Sequence, residues 1–181
     1  MADSNVNGQA YSLTVMAPIV SEKVSPLVNY LDGLGSGDKS PLAKVDHTHF
    51  ARWVVMDAPV YEGGRQRHDS WSAPRLLFTS NFDGDLDRYL ERLRVGLGEE
   101  ADKIWGHCKD YPGAGNAAEF AAWIKRNQVD SSLFYAAYGD MTVEEVRDNL
   151  VLRSRLTQFA GANQGKAPAE LKAAFLREFC S

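Results

Sequence analysis

From Ser12 to Val20 the chain alternates, with Leu13, Val15, Ala17 and Ile19 on one side and Ser12, Thr14, Met16 and Pro18 on the other. A period of two is that of a half-buried strand. Ser25-Pro26 then supplies a side-chain acceptor and a proline suited to a first helical position, opening a helix from Leu27 to Leu34. Leu27, Tyr30, Leu31 and Leu34 mark its apolar face, and Gly35-Ser36-Gly37 ends it. The run from His49 to Met56 predicts a second strand, with Phe50, Val54 and Met56 facing one way and His49, Ala51, Trp53 and Val55 the other. It is apolar enough to be buried on much of both faces. Asp57 to Pro74, containing Gly63-Gly64, His68 and Trp71, reads as a long polar loop, and Arg75 to Asp83 as a third strand.

Asp83-Gly84-Asp85 stops that strand and places carboxylates where a helix N-terminus presents unpaired N–H groups. Leu86, Tyr89, Leu90, Leu93 and Leu97 recur at helical spacing, Glu99 to His107 predicts a further short helix, and Phe120, Ala121, Trp123 and Ile124 mark another. The aromatic-rich stretch Ser131 to Gly139 reads as a fourth strand. Thr142-Val-Glu-Glu145 is a capping box for a helix to about Phe159, and Pro168 opens a last one. The order is β-α-β-β-α-β, the split βαβ arrangement of a ferredoxin-like α+β fold with an antiparallel sheet and additional C-terminal helices. A single domain is expected over residues 12–181, behind a flexible leader of residues 1–11. One face of such a sheet lies under helices, and the other calls for cover from the added helices, a second subunit or a ligand.

The chain has 181 residues, 44% hydrophobic and 24% charged, which suffices for a full core. Its net charge of −4 argues against a general nucleic-acid or anionic-membrane binder, which presents a basic field to phosphate. The first ten residues lack the basic and apolar regions of a secretory signal, and no stretch reaches the roughly eighteen apolar residues of a membrane helix. Two cysteines, Cys108 and Cys180, make no disulfide framework, so a cytoplasmic location is expected.

Candidate chemistry is sparse. Asp46, His47 and His49 offer carboxylate and imidazole donors for a transition metal, with His107 as a third ligand arriving from elsewhere. His107 could also serve as a general base or an axial haem ligand, and Cys108 as a thiolate nucleophile, against the plainer reading of a buried structural pair closing a helix. Arg52 lies within an apolar strand and Asn81 and Asp83 end the next, so the three could converge at one end of the sheet. There Arg52 either pairs with a carboxylate or meets an anionic ligand. Phe134, Tyr135, Tyr138 and Trp123 supply aromatic surface for a core or for a pocket. No phosphate loop, dinucleotide turn, nucleophile elbow or C-x-x-C pair is present.

The stretches His49-Phe-Ala-Arg-Trp-Val-Val55, Leu76-Leu-Phe-Thr-Ser-Asn-Phe-Asp-Gly84 and Gly106-His-Cys108 resemble those of a family of uncharacterised bacterial proteins. That family is similar to the ferredoxin-like dimeric α+β barrel group, which includes dye-decolourising peroxidases and chlorite dismutases. The resemblance spans about residues 12 to 140. It implies a homodimer and a haem with a proximal histidine, a distal arginine and, in the peroxidases, an aspartate. His107, Arg52 and Asp83 answer to these roles by residue type alone, and the distal G-x-x-D-G pattern is absent. Two readings follow. One is a non-enzymatic binding or accessory protein whose sheet face recognises a small ligand or a protein partner, with His49, Arg52, Asn81 and Tyr135 as binding residues. The other is a haem- or metal-dependent oxidoreductase using His107 or His49 as ligand and Arg52 near the oxidant.

Overall fold

Three nine-residue runs with inside–outside alternation, broken once in the second, build most of the sheet, and a computed structural model describes them within residues 3–56 and 73–180. Residues 57–72, read as most of a long loop with His68 and Trp71, lie outside the described residues. The strands are β1 (Val6–Asn7), β2 (Ala10–Pro18), β3 (Thr48–Met56) and β4 (Arg75–Asp83), all antiparallel to their neighbours in the order β1-β2-β4-β3. Helices α1 (Val24–Asp32), α2 (Leu86–Leu97), α3 (Glu99–Trp105) and α4 (Ala117–Arg126) complete a unit that ends at Val143.

The helices bury one face of the sheet. Leu13, Val15 and Ala17 of β2 and Leu76, Phe78 and Phe82 of β4 join Leu90, Leu93, Trp105, Phe120 and Trp123 in one core, with Ala51, Trp53 and Val55 of β3 packed against it. Burying these large side chains is the main source of stability, at about 1.5–3 kcal/mol each before entropy is counted. The alternate residues form a second, open face: Ser12, Thr14 and Met16 on β2, Leu77, Thr79 and Asn81 on β4, Phe50, Arg52 and Val54 on β3. None of them belongs to the core. Phe50 is 76% exposed, so the second strand is not buried on both faces as its sequence suggested.

Local signals place the helices well. Asp85 caps α2 by accepting the Arg88 N–H at 3.1 Å, and the helix stops at Gly98, whose φ of +54° suits a residue without Cβ. Ser25 does not cap α1. The helix begins at Val24, after a 3-10 turn over Ser21–Lys23, and Pro26 sits in its first turn, where a missing N–H costs no hydrogen bond.

The expected fourth strand is the main correction. Residues 131–139 form no strand, and the sheet position beside β2 is held by β1. Val6 and Asn7 pair with Tyr11 and Ala10 across a two-residue turn whose first central residue, Gly8, has φ +62°, as a type II′ hairpin demands. Residues 3–11 are therefore structured, and Asn5 is 3% exposed. Farther along the same edge Gln128 bridges Val15, the Met16 N–H donates to Asn127 O at 2.8 Å and the Val129 N–H to Thr14 O at 2.8 Å. With that edge filled, the chain beyond Val129 turns away as an aromatic loop.

The second unit, from Glu144 onward, is a helical pair: α5 (Val143–Ala162), whose first residue closes the first unit, and α6 (Pro168–Phe179). Phe159 meets Phe175 and Phe179 edge-on at 5.8 and 5.5 Å, and Arg155 pairs with Glu178 at 3.2 Å. Neither helix contains a buried residue. Among the described residues no helix is long and apolar enough to cross a membrane.

Candidate functional site

A break in the register of β3 creates the site. Thr48 pairs with Phe82 and Phe50 with Asn81, so His49 is the extra residue of a β-bulge. Simple alternation puts His49 on the helix face with Ala51 and Trp53. The bulge turns it instead toward the open face, beside Phe50, which is the re-aiming such irregularities perform. Behind it Thr48 keeps its place on the covered face, where its hydroxyl meets Tyr89 at 3.2 Å and Tyr89 meets Ser80 at 2.5 Å. Burial pushes the Tyr89 hydroxyl above the ordinary phenol range.

His49 Nε2 lies 2.6 Å from Asp83 Oδ1, and Asp83 Oδ2 accepts the Val143 N–H at 2.7 Å. Asp83 is 5% exposed, and its backbone N–H donates to His47 O at 3.0 Å. The carboxylate thus anchors the imidazole on one side and the start of α5 on the other. His47, with a left-handed φ of 62°, stands 3.8 Å from the same carboxylate through Nδ1.

Above this pair opens a cleft of about 320 Å³ between Ala10, His49, Phe50 and Asn81 on the sheet and residues 134–138 of the loop. That volume is at the small end of ligand pockets. Its rim is aromatic and unburied: Tyr135 is 77% and Tyr138 73% exposed. The loop is pinned from below by the N-terminal hairpin. Asn5 Oδ1 accepts the Ser131 N–H at 2.8 Å, the Gln9 N–H donates to Gly139 O at 2.6 Å, and the Gln9 amide donates to Asp140 O at 3.0 Å.

His49, Asn81 and Tyr135, singled out from sequence as binding residues, line this one cleft. Arg52 lies just beyond it on the open face, exposed, with Nε donating to Thr79 Oγ1 at 3.3 Å. Among the described residues it has no carboxylate partner, so the arginine–carboxylate pair considered from sequence is not seen among them. Asp83 is spoken for by His49. Phe134 and Tyr138, which the sequence offers for a core or a pocket, line the cleft too, whereas Phe50, read as part of a strand buried on both faces, was not legible as a site residue.

His107 is elsewhere. It follows α3, its carbonyl accepts the Val20 N–H at 3.0 Å beyond the far end of β2, and its Nδ1 is 3.3 Å from Ile104 O. The length of β2, roughly 30 Å, separates it from the cleft, and the sheet stands between α3 and Arg52. Cys108 is buried, and burial pushes its thiol up to about 12, leaving it protonated near neutral pH. The pair closes a helix and ties it to β2 through the Ile19–Cys108 bridge. The structure thus does not bring His107 and Arg52 together. Among the described residues no three His, Cys, Asp or Glu side chains are grouped to hold a metal ion; His47 and His49 both meet Asp83, without His107.

The arrangement as built can stack an apolar ring and offer a few fixed polar groups at one end. Comparisons with protein-family models, with curated proteins and with solved structures find no match to this chain.

Proposed function

We propose that the protein is a non-enzymatic binding or accessory protein whose cleft, at one end of the open sheet face, holds a small ligand with an apolar ring. The observation that carries this is the set of three aromatic side chains, Phe50, Tyr135 and Tyr138, each more than two-thirds exposed and gathered on one cleft. Exposed rings cost solvation free energy that a folded chain ordinarily avoids by burying them, so their concentration at one site points to an occupant. Beneath them the oriented His49 and the Asn81 carboxamide, which has no hydrogen-bond partner among the described residues, supply the few directional contacts that fix a ligand's orientation.

The ferredoxin-like reading of the fold belongs to this proposal. Its support is the order β2-β4-β3 of the three long strands, with Gln128 bridging β2 on the edge where a fourth strand adds in that fold.

A fragment of about a dozen heavy atoms is expected to bind with a Kd of about 0.1–1 mM. The test is protein-observed NMR with a set of single- and fused-ring aromatic fragments. Shifts confined to amides around Phe50, Asn81 and residues 134–138, weakened about tenfold or more in Tyr135→Ala with an unchanged fold, support the reading. Fragments that bind nowhere, or bind Tyr135→Ala as well as the wild type, sink it. A molar mass of two chains whose association Phe50→Ser abolishes would give the face to a second copy instead.

A further inference from the structure

Resting on that cleft reading, we propose that the ligand is a small aromatic carboxylate, its ring held by Phe50 and Tyr135 and its carboxylate received by Arg52. Phe50 and Arg52 are alternate residues of β3, so both side chains leave the same open face roughly 7 Å apart. Their partners across the ladder are Asn81 and Thr79. A ring seated in the cleft against Phe50 thus has, one step along the strand, a guanidinium and a carboxamide within the reach of a substituent.

The electrostatics single out an anion. Arg52 is exposed and uses Nε on Thr79, which leaves the terminal nitrogens of its planar fork for another acceptor. Among the described residues the acidic group at this end of the sheet, Asp83, is 5% exposed and has one oxygen on His49 and the other on the Val143 N–H, so it is engaged away from Arg52. A cationic ligand would face Arg52 as a like charge. A compact inorganic anion would leave three rings in water. A planar carboxylate on an aromatic ring answers both halves of the site, because the guanidinium fork matches its two oxygens.

The experiment uses the full-length protein with 2-naphthoate and its neutral counterpart 2-naphthamide, titrated by NMR at low ionic strength. The carboxylate is expected to bind about threefold to tenfold more tightly than the amide, as a partly exposed ion pair allows, and added salt should shrink that ratio. In Arg52→Gln, a change at an exposed position, the ratio falls to about one because 2-naphthoate loses more affinity than 2-naphthamide; Arg52→Lys keeps part of it. Equal binding of the two probes by the wild type, or a carboxylate preference that survives Arg52→Gln, overturns the assignment to an anion and leaves the cleft reading standing. If neither probe shifts the amides around Phe50 and Tyr135, both fail.

Discussion

Asp83 ends β4 with its carboxylate shared between His49 and the first helical N–H of α5, and removing it strands two donors at once. Both donors are half-buried, which puts each at the low end of the ~1–3 kcal/mol that an unpartnered buried donor costs. Asp83→Ala should therefore lower unfolding free energy in urea by roughly 2–3 kcal/mol, and Asp83→Asn, which keeps one acceptor, by less. A loss under about 0.5 kcal/mol for Asp83→Ala would mean the pair contributes nothing to the native state. Cys108 makes a different prediction. Burial raises its thiol from an ordinary value of 9.0 to about 12, so the folded state favours the protonated form. Stability from this source is whole below pH about 9 and is lost as pH climbs toward about 12, because the unfolded chain ionises first. Burial raises the Tyr111 and Tyr89 hydroxyls in the same direction. Melting temperature should fall with rising pH in that window, less steeply in Cys108→Ala. At pH 8 a thiol reagent should find Cys180 promptly and Cys108 only after denaturation, since one is exposed and the other buried.

At the scale of elements, the N-terminal hairpin and the loop it pins decide whether a cleft exists. Gly8 and Gly139 pass so closely that a Cβ on Gly139 would sit 2.5 Å from Asn7 Oδ1 and 2.7 Å from Asn7 O, and one on Gly8 would collide with the Gly139 carbonyl. Gly139→Ala should free residues 130–140 from the sheet edge. Hydrogen exchange at the Gln9 amide should rise at least tenfold while amides in the middle of β4 hold their protection; equal protection in both proteins would show that the contact relaxes at no cost. The same region marks where sequence reading succeeded and failed. The three long strands and α2 through α4 were legible because alternation, helical spacing and a capping aspartate all agreed. The fourth strand was not, since an aromatic run such as Leu133-Phe-Tyr135 carries β-propensity wherever it lies and only pairing decides. Here β1 and residues 127–129 already fill the edge of β2. The signal that was present, a Gly8-Gln9 turn with the β-prone Val6 and Tyr11 on either side, sat in a segment read as leader. His49 was noticed for its chemistry and placed on the wrong face, because no pattern in one strand announces a bulge whose register its partner sets.

For the molecule as a whole, the two units differ in what holds them. The first encloses Trp105, Trp123, Tyr89 and Phe78 at or near zero exposure, so its central amides should exchange only when the unit unfolds, at the several kcal/mol typical of a domain. The second has no buried residue among those described, and Leu150, Val151 and Leu176 are 57%, 60% and 48% exposed. Its internal support is the Phe159–Phe175–Phe179 cluster and the Arg155–Glu178 pair. Helices of 20 and 12 residues with so little packing are marginal in water, since most helical stability in proteins comes from burying an apolar face. Amides of α5 beyond its first turn and of α6 should thus open at about 1–2 kcal/mol, far below β2 and β4. Exchange on the isolated full chain reads this directly. If the helical pair is instead as protected as the sheet, its apolar residues are covered in solution, and a dilution series then separates the cases: protection that falls with concentration requires a second copy, and protection that does not requires cover within one chain.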